Sequence, residues 1–379
     1  MAPLEPWEKV LVVQEDFLGD VHGQTQCIFC HGGVQDPDKE TAHTGLVADP
    51  DSGETNICQN CHADTDHTFE ASLHATQGGY WTALDARSAP EDHAALETMF
   101  GNHCASCHTT CGDCHISQPS SVGGGLIDGH VFEKTPSMTR NCTACHGSRV
   151  GNEYLGKNEG YASDVHFRAG RMKCSDCHTG DAMHDSSGVC TECHTTPEGG
   201  QPISKMDRYD GTQAPACESC HPQVGADGDE VLQHTLHGDK LSCQVCHSLS
   251  YSSCDGCHVA VSEKTGNPFF ETQATYMTFF IGRNPDPSYH RPYEYVPVRH
   301  IPVDTQSYAY YGEDLLPNFD ALPTWAYATP HNIQRITPQN ESCNNCHGNT
   351  EIFLTSDKVK PEEVNANRDV IVPQVPAAR

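Results

Sequence analysis

Cys104-Ala105-Ser106-Cys107-His108-Thr109-Thr110-Cys111-Gly112-Asp113-Cys114-His115 contains the pattern CxxCH twice, with two residues between the copies. In each copy the cysteines are three positions apart and the histidine follows directly. Two thiols and an imidazole at this spacing fit within one turn of chain, so they can act on one bound group. The two copies therefore predict two sites of the same chemistry side by side.

The same pattern occurs eleven times in the 379 residues. The cysteine pairs are Cys27 and Cys30, Cys58 and Cys61, Cys104 and Cys107, Cys111 and Cys114, Cys142 and Cys145, Cys174 and Cys177, Cys190 and Cys193, Cys217 and Cys220, Cys243 and Cys246, Cys254 and Cys257, and Cys343 and Cys346. The histidines that follow them are His31, His62, His108, His115, His146, His178, His194, His221, His247, His258 and His347. These motifs use all 22 cysteines, so no thiol is left for another disulfide or for a nucleophile.

Covalent haem explains this pattern best. The two thiols can add to the two vinyl groups of a haem, and the imidazole then lies under the iron. A CxxC pair alone is also compatible with a zinc site or a redox disulfide. Zinc fingers separate their histidines from the cysteine pair, however, and a disulfide needs no histidine. Eleven histidines directly after eleven pairs therefore predict eleven c-type haems.

On these motifs the chain resembles the multihaem c-type cytochromes, and the resemblance extends from residue 22 to 347. That family contains both electron conduits and reductases, so the resemblance implies haem and redox chemistry without deciding the role. The pentahaem nitrite reductases of the family typically replace the motif histidine of the catalytic haem by lysine. No such variant occurs here, which favours electron transfer.

Hydrophobic residues are 36% of the chain, and the cysteines are part of that share. The chain is therefore short of side chains that could form a core. We expect a mostly irregular fold with short α-helices and few short β-strands, wrapped around a chain of haems that supplies the missing apolar surface. The chain without haem should fold poorly, because binding energy is folding energy where no site preexists.

The net charge is −29, which disfavours nucleic acid and anionic lipid as partners. This charge fits basic partners or bound cations, and it fits simple solubility equally well. The longest apolar run near the start, residues 10–13, reads as a strand and is too short to cross a membrane. No signal peptide is recognisable. Since the family attaches haem outside the cytoplasm, we expect an exported protein, periplasmic or extracellular at the cell surface, whose signal peptide has been removed.

Three regions are expected. Residues 1–258 carry ten motifs, with short helices at 72–77 and from residue 88 to a closing Gly101. Residues 259–342 form a small subdomain without haem attachment, with eight of the 13 tyrosines and a strand at 293–298. It reads as a packing cap, or alternatively as a substrate pocket or docking surface. Residues 343–379 hold the last motif and an extended tail, expected along a neighbour or in solvent.

Fourteen further histidines are available as second iron ligands for eleven irons. They are His22, His43, His67, His74, His93, His103, His130, His166, His184, His234, His237, His290, His300 and His331. Two histidines per iron predict low reduction potentials. The sequence does not say which histidine serves which iron, which three are spare, or whether one iron stays open. His103 is badly placed to reach across the haem of its neighbour Cys104, so we expect it to ligate a different one.

These features predict long-range electron transfer through eleven haems, with the tightest step between those of His108 and His115 and no catalytic residue. The partners would be redox proteins or extracellular electron acceptors. Copies that stack head to tail would form a conductive filament, or nanowire, since a head-to-tail interface need not close. The alternatives are a discrete periplasmic or surface shuttle or complex subunit, and a reductase with one open iron.

Overall fold

A computed structural model describes residues 17–51, 56–105, 109–184, 215–250, 253–275, 279–287, 291–301, 303 and 305–379. For residues 120, 253–258 and 270–275 the description covers the backbone alone. Several sequence predictions fall outside these residues: the strand at 10–13, the expected ligand His290, the second half of the third motif with Cys107 and His108, and the whole seventh motif with Cys190, Cys193 and His194. The predicted haem at Cys190 and Cys193 and the expected tight step between His108 and His115 therefore stay predictions.

Short helices carry most of the described motifs. In chain order the helices are α1 (Cys27–His31), α2 (Lys39–Ala42), α3 (Gln59–Glu70), α4 (Leu73–Thr76), α5 (Gly78–Asp85), α6 (His93–His103), α7 (Cys111–His115), α8 (Thr143–His146), α9 (Asn152–Leu155), α10 (Val165–Arg168), α11 (Cys174–Cys177), α12 (Gly180–His184), α13 (Cys217–Cys220), α14 (Leu232–His237), α15 (Cys243–His247) and α16 (Cys343–Cys346). Short 3₁₀ and π turns connect them. Six of these helices begin at the first cysteine of a motif.

The CxxCH spacing produces these turns directly. The N–H of His62 donates to the carbonyl of Cys58 over 2.9 Å, and that of His178 donates to Cys174 over 2.8 Å. This i to i−4 bond closes one helical turn around the cysteine pair. At α7 the turn is also capped, because Thr110 accepts from the N–H of Asp113 and Asp113 accepts from that of Thr110.

The two longest helices flank the second and third motifs. A helix at 72–77 was expected, and α4 lies there with Ser72 as its N-cap. The helix expected from residue 88 begins as a 3₁₀ turn at Pro90–Asp92 and continues as α6. It runs through Gly101 to His103, so the prediction that Gly101 closes it is wrong. Helix α3 was not expected, since residues around the second motif read as loop.

In the described part of the chain, strands occur only after residue 252. Strands β1 (Ser253–Val261) and β2 (Pro268–Thr275) form an antiparallel hairpin with an irregularity between Asp255 and Cys257. The tenth motif thus lies on a strand. A second, antiparallel sheet has the order β3 (Phe280–Arg283), β4 (Tyr295–His300) and β5 (Trp325–Tyr327). The expected strand at 293–298 corresponds to β4, shifted by two residues.

Buried apolar side chains are concentrated in two parts of the molecule. One cluster joins α5 and α6 to Leu315 and Leu316, and it includes Leu96 and Met99 at 0% exposure. Two others lie around the three-stranded sheet. Among the described residues, Pro119 is the one apolar side chain that is buried before Leu84 or between Phe100 and Val245. The described residues around most of the motifs therefore have no hydrophobic core made from their own side chains.

The C-terminal tail packs on its own chain. Val370, Ile371 and Val372 are buried against the three-stranded sheet. The N–H of Arg283 donates to the carbonyl of Val370, and that of Val372 donates to Leu354, each over 2.8 Å. The expectation that the tail lies along a neighbour or in solvent is wrong for these residues, because their apolar side chains complete the core beside the sheet. In the described part of the chain, no helix has the length and apolar character needed to cross a membrane.

A buried arginine joins the first apolar cluster to the segment between strands β4 and β5. Arg87 is 1% exposed, and its guanidinium donates to the carbonyls of Ala83, Phe319, Leu322 and Pro323 at 2.9 to 3.2 Å. Burial lowers its pKa to about 10. Because four carbonyls depend on one side chain, Arg87 holds the end of α5 against residues 319–323.

We expect Arg87→Met to destabilise the protein by about 3 kcal/mol, since buried carbonyls lose their only side-chain donor. The free energy of unfolding can be measured by guanidinium titration of the holoprotein, followed by circular dichroism. Arg140→Met is the matched control, because Arg140 is 44% exposed and pairs with the exposed Asp128. It should cost less than about 1 kcal/mol. Equal losses in the two variants would contradict the role given to Arg87.

Candidate functional site

Each motif histidine whose side chain is described lies opposite one non-motif histidine. The centroids of the two rings are 5.9 to 6.4 Å apart in all eight pairs. With the motif histidine first, the pairs are His31/His130, His62/His22, His115/His184, His146/His74, His178/His331, His221/His166, His247/His234 and His347/His237. Eight of the eleven motif histidines are therefore accounted for, and the other three have side chains outside the described residues.

This separation fits one metal ion between two imidazoles. With a metal to nitrogen bond of about 2 Å, each ring centroid lies roughly 3.2 Å from the metal, so facing centroids lie roughly 6.4 Å apart. Van der Waals contact would allow the rings to come closer or to slip sideways. A range as narrow as 5.9 to 6.4 Å across eight independent pairs indicates one common requirement.

The hydrogen bonds of the paired histidine rings use Nδ1 and leave Nε2 available for a metal. Nine of the sixteen paired histidines have a described ring hydrogen bond, and in each it is formed by Nδ1. His115, for example, reaches the carbonyl of Glu133 over 2.7 Å, and His331 reaches that of Thr329 over 2.8 Å. An Nδ1–H bonded in this way fixes the tautomer and leaves the Nε2 lone pair for a metal.

Two histidines outside these eight pairs use the other ring nitrogen. Nε2 of His103 lies 2.7 Å from the hydroxyl of Tyr311, and Nε2 of His300 lies 3.0 Å from the carboxylate of Glu363. Both were candidate iron ligands, and in this structure both have their Nε2 committed to a protein partner. The expected ligation of another haem by His103 stays a prediction. His43 and His67 are exposed and His93 is half-buried. These three, together with His290 outside the described residues, remain as candidates for the motif histidines outside the description.

Burial keeps the innermost pairs neutral. Desolvation lowers the pKa of His146 and of His331 to about 4. The same cause lowers the pKa of His74 and of His178, their partners. A neutral imidazole is the form that binds a metal, so these rings need not lose a proton near neutral pH.

The cysteines arrange the eight described motifs in one row that follows the chain order. Thiol hydrogen bonds join the first cysteines of three couples of motifs: Cys58 with Cys111, Cys174 with Cys142, and Cys243 with Cys217. In each couple the hydrogen bond raises the pKa of the first-named thiol and lowers the pKa of the second. Second cysteines link the remaining neighbours. Burial and then a nearby thiol raise the pKa of Cys30 beside Cys61, of Cys177 beside Cys220 and of Cys246 beside Cys346. Cys114 lies beside Cys142 and Cys145 in the same way.

The row is thus 27, 58, 111, 142, 174, 217, 243 and 343, named by the first cysteine of each motif. A histidine that lies next to one of these motifs in the sequence can face the histidine of another motif. His166 and His184 flank the motif at Cys174, yet they pair with His221 and His115 rather than with His178. These two histidines lie on either side of one motif in the sequence, but each belongs to the site of another motif.

Apolar side chains beside the pairs lie open. Ile28 and Phe29, inside the first motif, are 41% and 48% exposed, and Val231 and Leu232 at the start of α14 are also exposed. Contiguous exposed apolar surface usually marks a place that something else covers. A flat apolar ring system between the histidines would contact such residues and would supply the core that the described motif regions lack.

The donor set also fits haem better than zinc. Within the residues that the structure describes, no three His, Cys, Asp or Glu side chains converge as metal ligands. Each pair offers two nitrogen donors, whereas structural zinc takes four protein ligands. A haem iron takes four nitrogens from the porphyrin and needs two axial ligands. The described cysteines are free thiols, and each pair adjoins a motif histidine. These residues would hold eight covalent haems with two axial histidines each.

Comparison with known proteins adds nothing to this description. No protein-family model matches the sequence, and neither the curated proteins nor the solved structures give a match. The assignment of the sites therefore depends on the motifs and on the geometry of the pairs.

We expect His331→Ala to open one iron, because His331 faces His178 at 6.4 Å. The reduced holoprotein should then bind one equivalent of carbon monoxide, and the oxidised form should give a high-spin signal in electron paramagnetic resonance. Added imidazole should remove both effects if the fold is intact.

His300→Ala is the matched control for this substitution, since His300 lies in the same part of the chain but is bound to Glu363. It should leave carbon monoxide binding unchanged. Carbon monoxide binding to the His300 variant, or none to the His331 variant, would contradict the pairing.

Proposed function

We propose that this chain is an electron carrier that attaches haem at its CxxCH motifs and gives each iron two histidine ligands. The observation that carries the proposal is the set of eight facing histidine pairs at 5.9 to 6.4 Å, each with one motif histidine. When bound, the haems supply reversible one-electron chemistry.

The residues of each site have separate tasks. The two cysteines would fix the position of the bound group on one helical turn, and the motif histidine would hold its metal from one side. The facing histidine would hold the metal from the other side. Backbone carbonyls such as those of Val47 and Glu133 hold the rings through Nδ1, so that Nε2 points to the metal.

Saturated iron favours transfer over catalysis. A reductase needs an axial position that a substrate can enter, and in the eight described sites a second imidazole lies where that position would be. Two histidine ligands also favour low potentials. The alternative of a reductase would require an open iron among the sites of His108, His194 and His258.

The row of motifs supports a defined path. Cysteines of neighbouring motifs influence one another. His166 and His184, which flank the motif at Cys174, belong to the sites of His221 and His115 and so tie separate sites together. Electrons would enter at one end of this row and leave at the other. Export, redox partners and head-to-tail assembly into a filament stay predictions from the resemblance.

The order of the row can be tested with two double variants. Cys142→Ala with Cys145→Ala removes an interior attachment site, and Cys343→Ala with Cys346→Ala removes a terminal one. Mass spectrometry should show eleven haems in the native chain and ten in each variant. Current through single molecules held between two electrodes should fall by orders of magnitude for the interior variant, because electrons must cross a gap.

The terminal variant carries the same number of haems and should conduct far better than the interior one. Fewer than eleven haems in the native chain would overturn the proposed cofactor content. Equal conduction in the two variants would overturn the single path.

A further inference from the structure

The Nδ1 partners of the paired histidines are of two kinds. Six of the nine described bonds go to backbone carbonyls, at 2.7 to 3.1 Å. The other three go to aspartate carboxylates. Nδ1 of His22 lies 2.6 Å from Asp20, that of His166 lies 2.9 Å from Asp164, and that of His234 lies 2.8 Å from Asp229.

Two of these carboxylates arise from the same local sequence. Asp-Val-His occurs at 20–22 and again at 164–166. In both places Oδ1 of the aspartate accepts from the backbone N–H of the histidine as well as bonding its ring, at 2.9 Å for His22 and 2.8 Å for His166. The repeated geometry indicates that this tripeptide fixes the orientation of the histidine ring.

Asp164 and Asp229 are held by further bonds. Oδ2 of Asp164 accepts from the N–H of Ile333 over 2.7 Å. Asp229 accepts from the N–H of Gly225 over 2.7 Å and of Val231 over 2.9 Å. These N–H donors fix the orientation of each carboxylate, so the negative charge of an aspartate faces each of these histidines.

A carboxylate and a carbonyl affect the ligand differently. The charged acceptor draws the Nδ1 proton more strongly and raises the basicity of the imidazole, so Nε2 becomes a stronger donor. A stronger donor and a nearby negative charge favour the oxidised metal over the reduced one. Second-sphere hydrogen bonds are one of the means by which proteins set haem potentials.

We propose that Asp20, Asp164 and Asp229 are positioning residues that lower the reduction potentials of the sites at His62, His221 and His247. This inference rests on the proposed function. In the described row these sites are the second, sixth and seventh, so a site of lower potential lies on each side of the middle sites of His115, His146 and His178. An electron that enters the row is then held in its middle until an acceptor draws it out.

Burial sets the order of the effect, because solvent screens exposed charge. The side chain of Asp164 is 2% exposed, that of Asp229 is 9% exposed and that of Asp20 is 43% exposed. The downward shift of the potential should therefore be largest for Asp164 and smallest for Asp20.

The test uses Asp164→Asn, Asp229→Asn and Asp20→Asn, since asparagine keeps an oxygen acceptor but removes the charge. Haem content is measured first, and each holoprotein is then titrated by spectroelectrochemistry. One component should shift to higher potential in each variant, in the order Asp164, Asp229, Asp20. Electron paramagnetic resonance should show altered g values for one low-spin species and no high-spin iron. Asp164→Glu should retain most of the native potential.

Asp38→Asn is the control for loss of a surface charge, because Asp38 caps α2 by accepting from Thr41. It should leave every potential nearly unchanged. Shifts in the aspartate variants no larger than in this control would overturn the inference, as would high-spin iron in all three without a shift of potential. In either case the native protein would still contain low-spin haem. Absence of such haem in the native protein would instead overturn the proposed function.

Discussion

In each histidine pair, two imidazole rings lie opposite each other with their centroids about 6 Å apart. The rest of this structure depends on that arrangement. The members of a pair come from distant segments, as with His178 and His331 or His74 and His146, which are 6.4 Å and 6.2 Å apart. A metal bound by both rings of a pair would therefore cross-link distant segments of the chain. In the proposed holoprotein, ligand binding supplies folding energy, as expected where a site does not exist in the unfolded chain.

The molecule divides its stability between two sources. The three-stranded sheet, the C-terminal tail and helices α5 and α6 have apolar clusters made from their own side chains. Buried polar groups such as Arg87 and Glu363 hold these parts together through hydrogen bonds. The regions around the first motifs have no comparable cluster among the described residues. In these regions the chain itself provides only the helical turns at the cysteines and the hydrogen bonds at Nδ1. The bound haems would provide the remaining stabilisation.

Sequence reasoning found the motifs and the pool of ligands, because CxxCH is a local signal that one helical turn satisfies. It could not assign the pairs, since nothing in the spacing of His130 reveals that its partner is His31. The use of Nε2 by His103 and His300 was equally hidden, because it depends on Tyr311 and Glu363 far along the chain. Asp-Val-His was visible twice and could have pointed to the carboxylate partners. The packing of the tail was missed because Val370 and its neighbours gain burial only against a sheet whose position the sequence does not give.

In the proposed holoprotein, each histidine pair coordinates the iron of a haem that is bound to the adjacent cysteines. A high-resolution density map of the native, haem-loaded protein tests this most directly. We expect a flat macrocycle between the two imidazole rings of each of the eight pairs. Nε2 of both histidines should lie at the iron, and both motif cysteines should be joined to the edge of the macrocycle. Pairs without a macrocycle, iron held by His300 in place of His331, or disulfides such as Cys58 to Cys111 would contradict it.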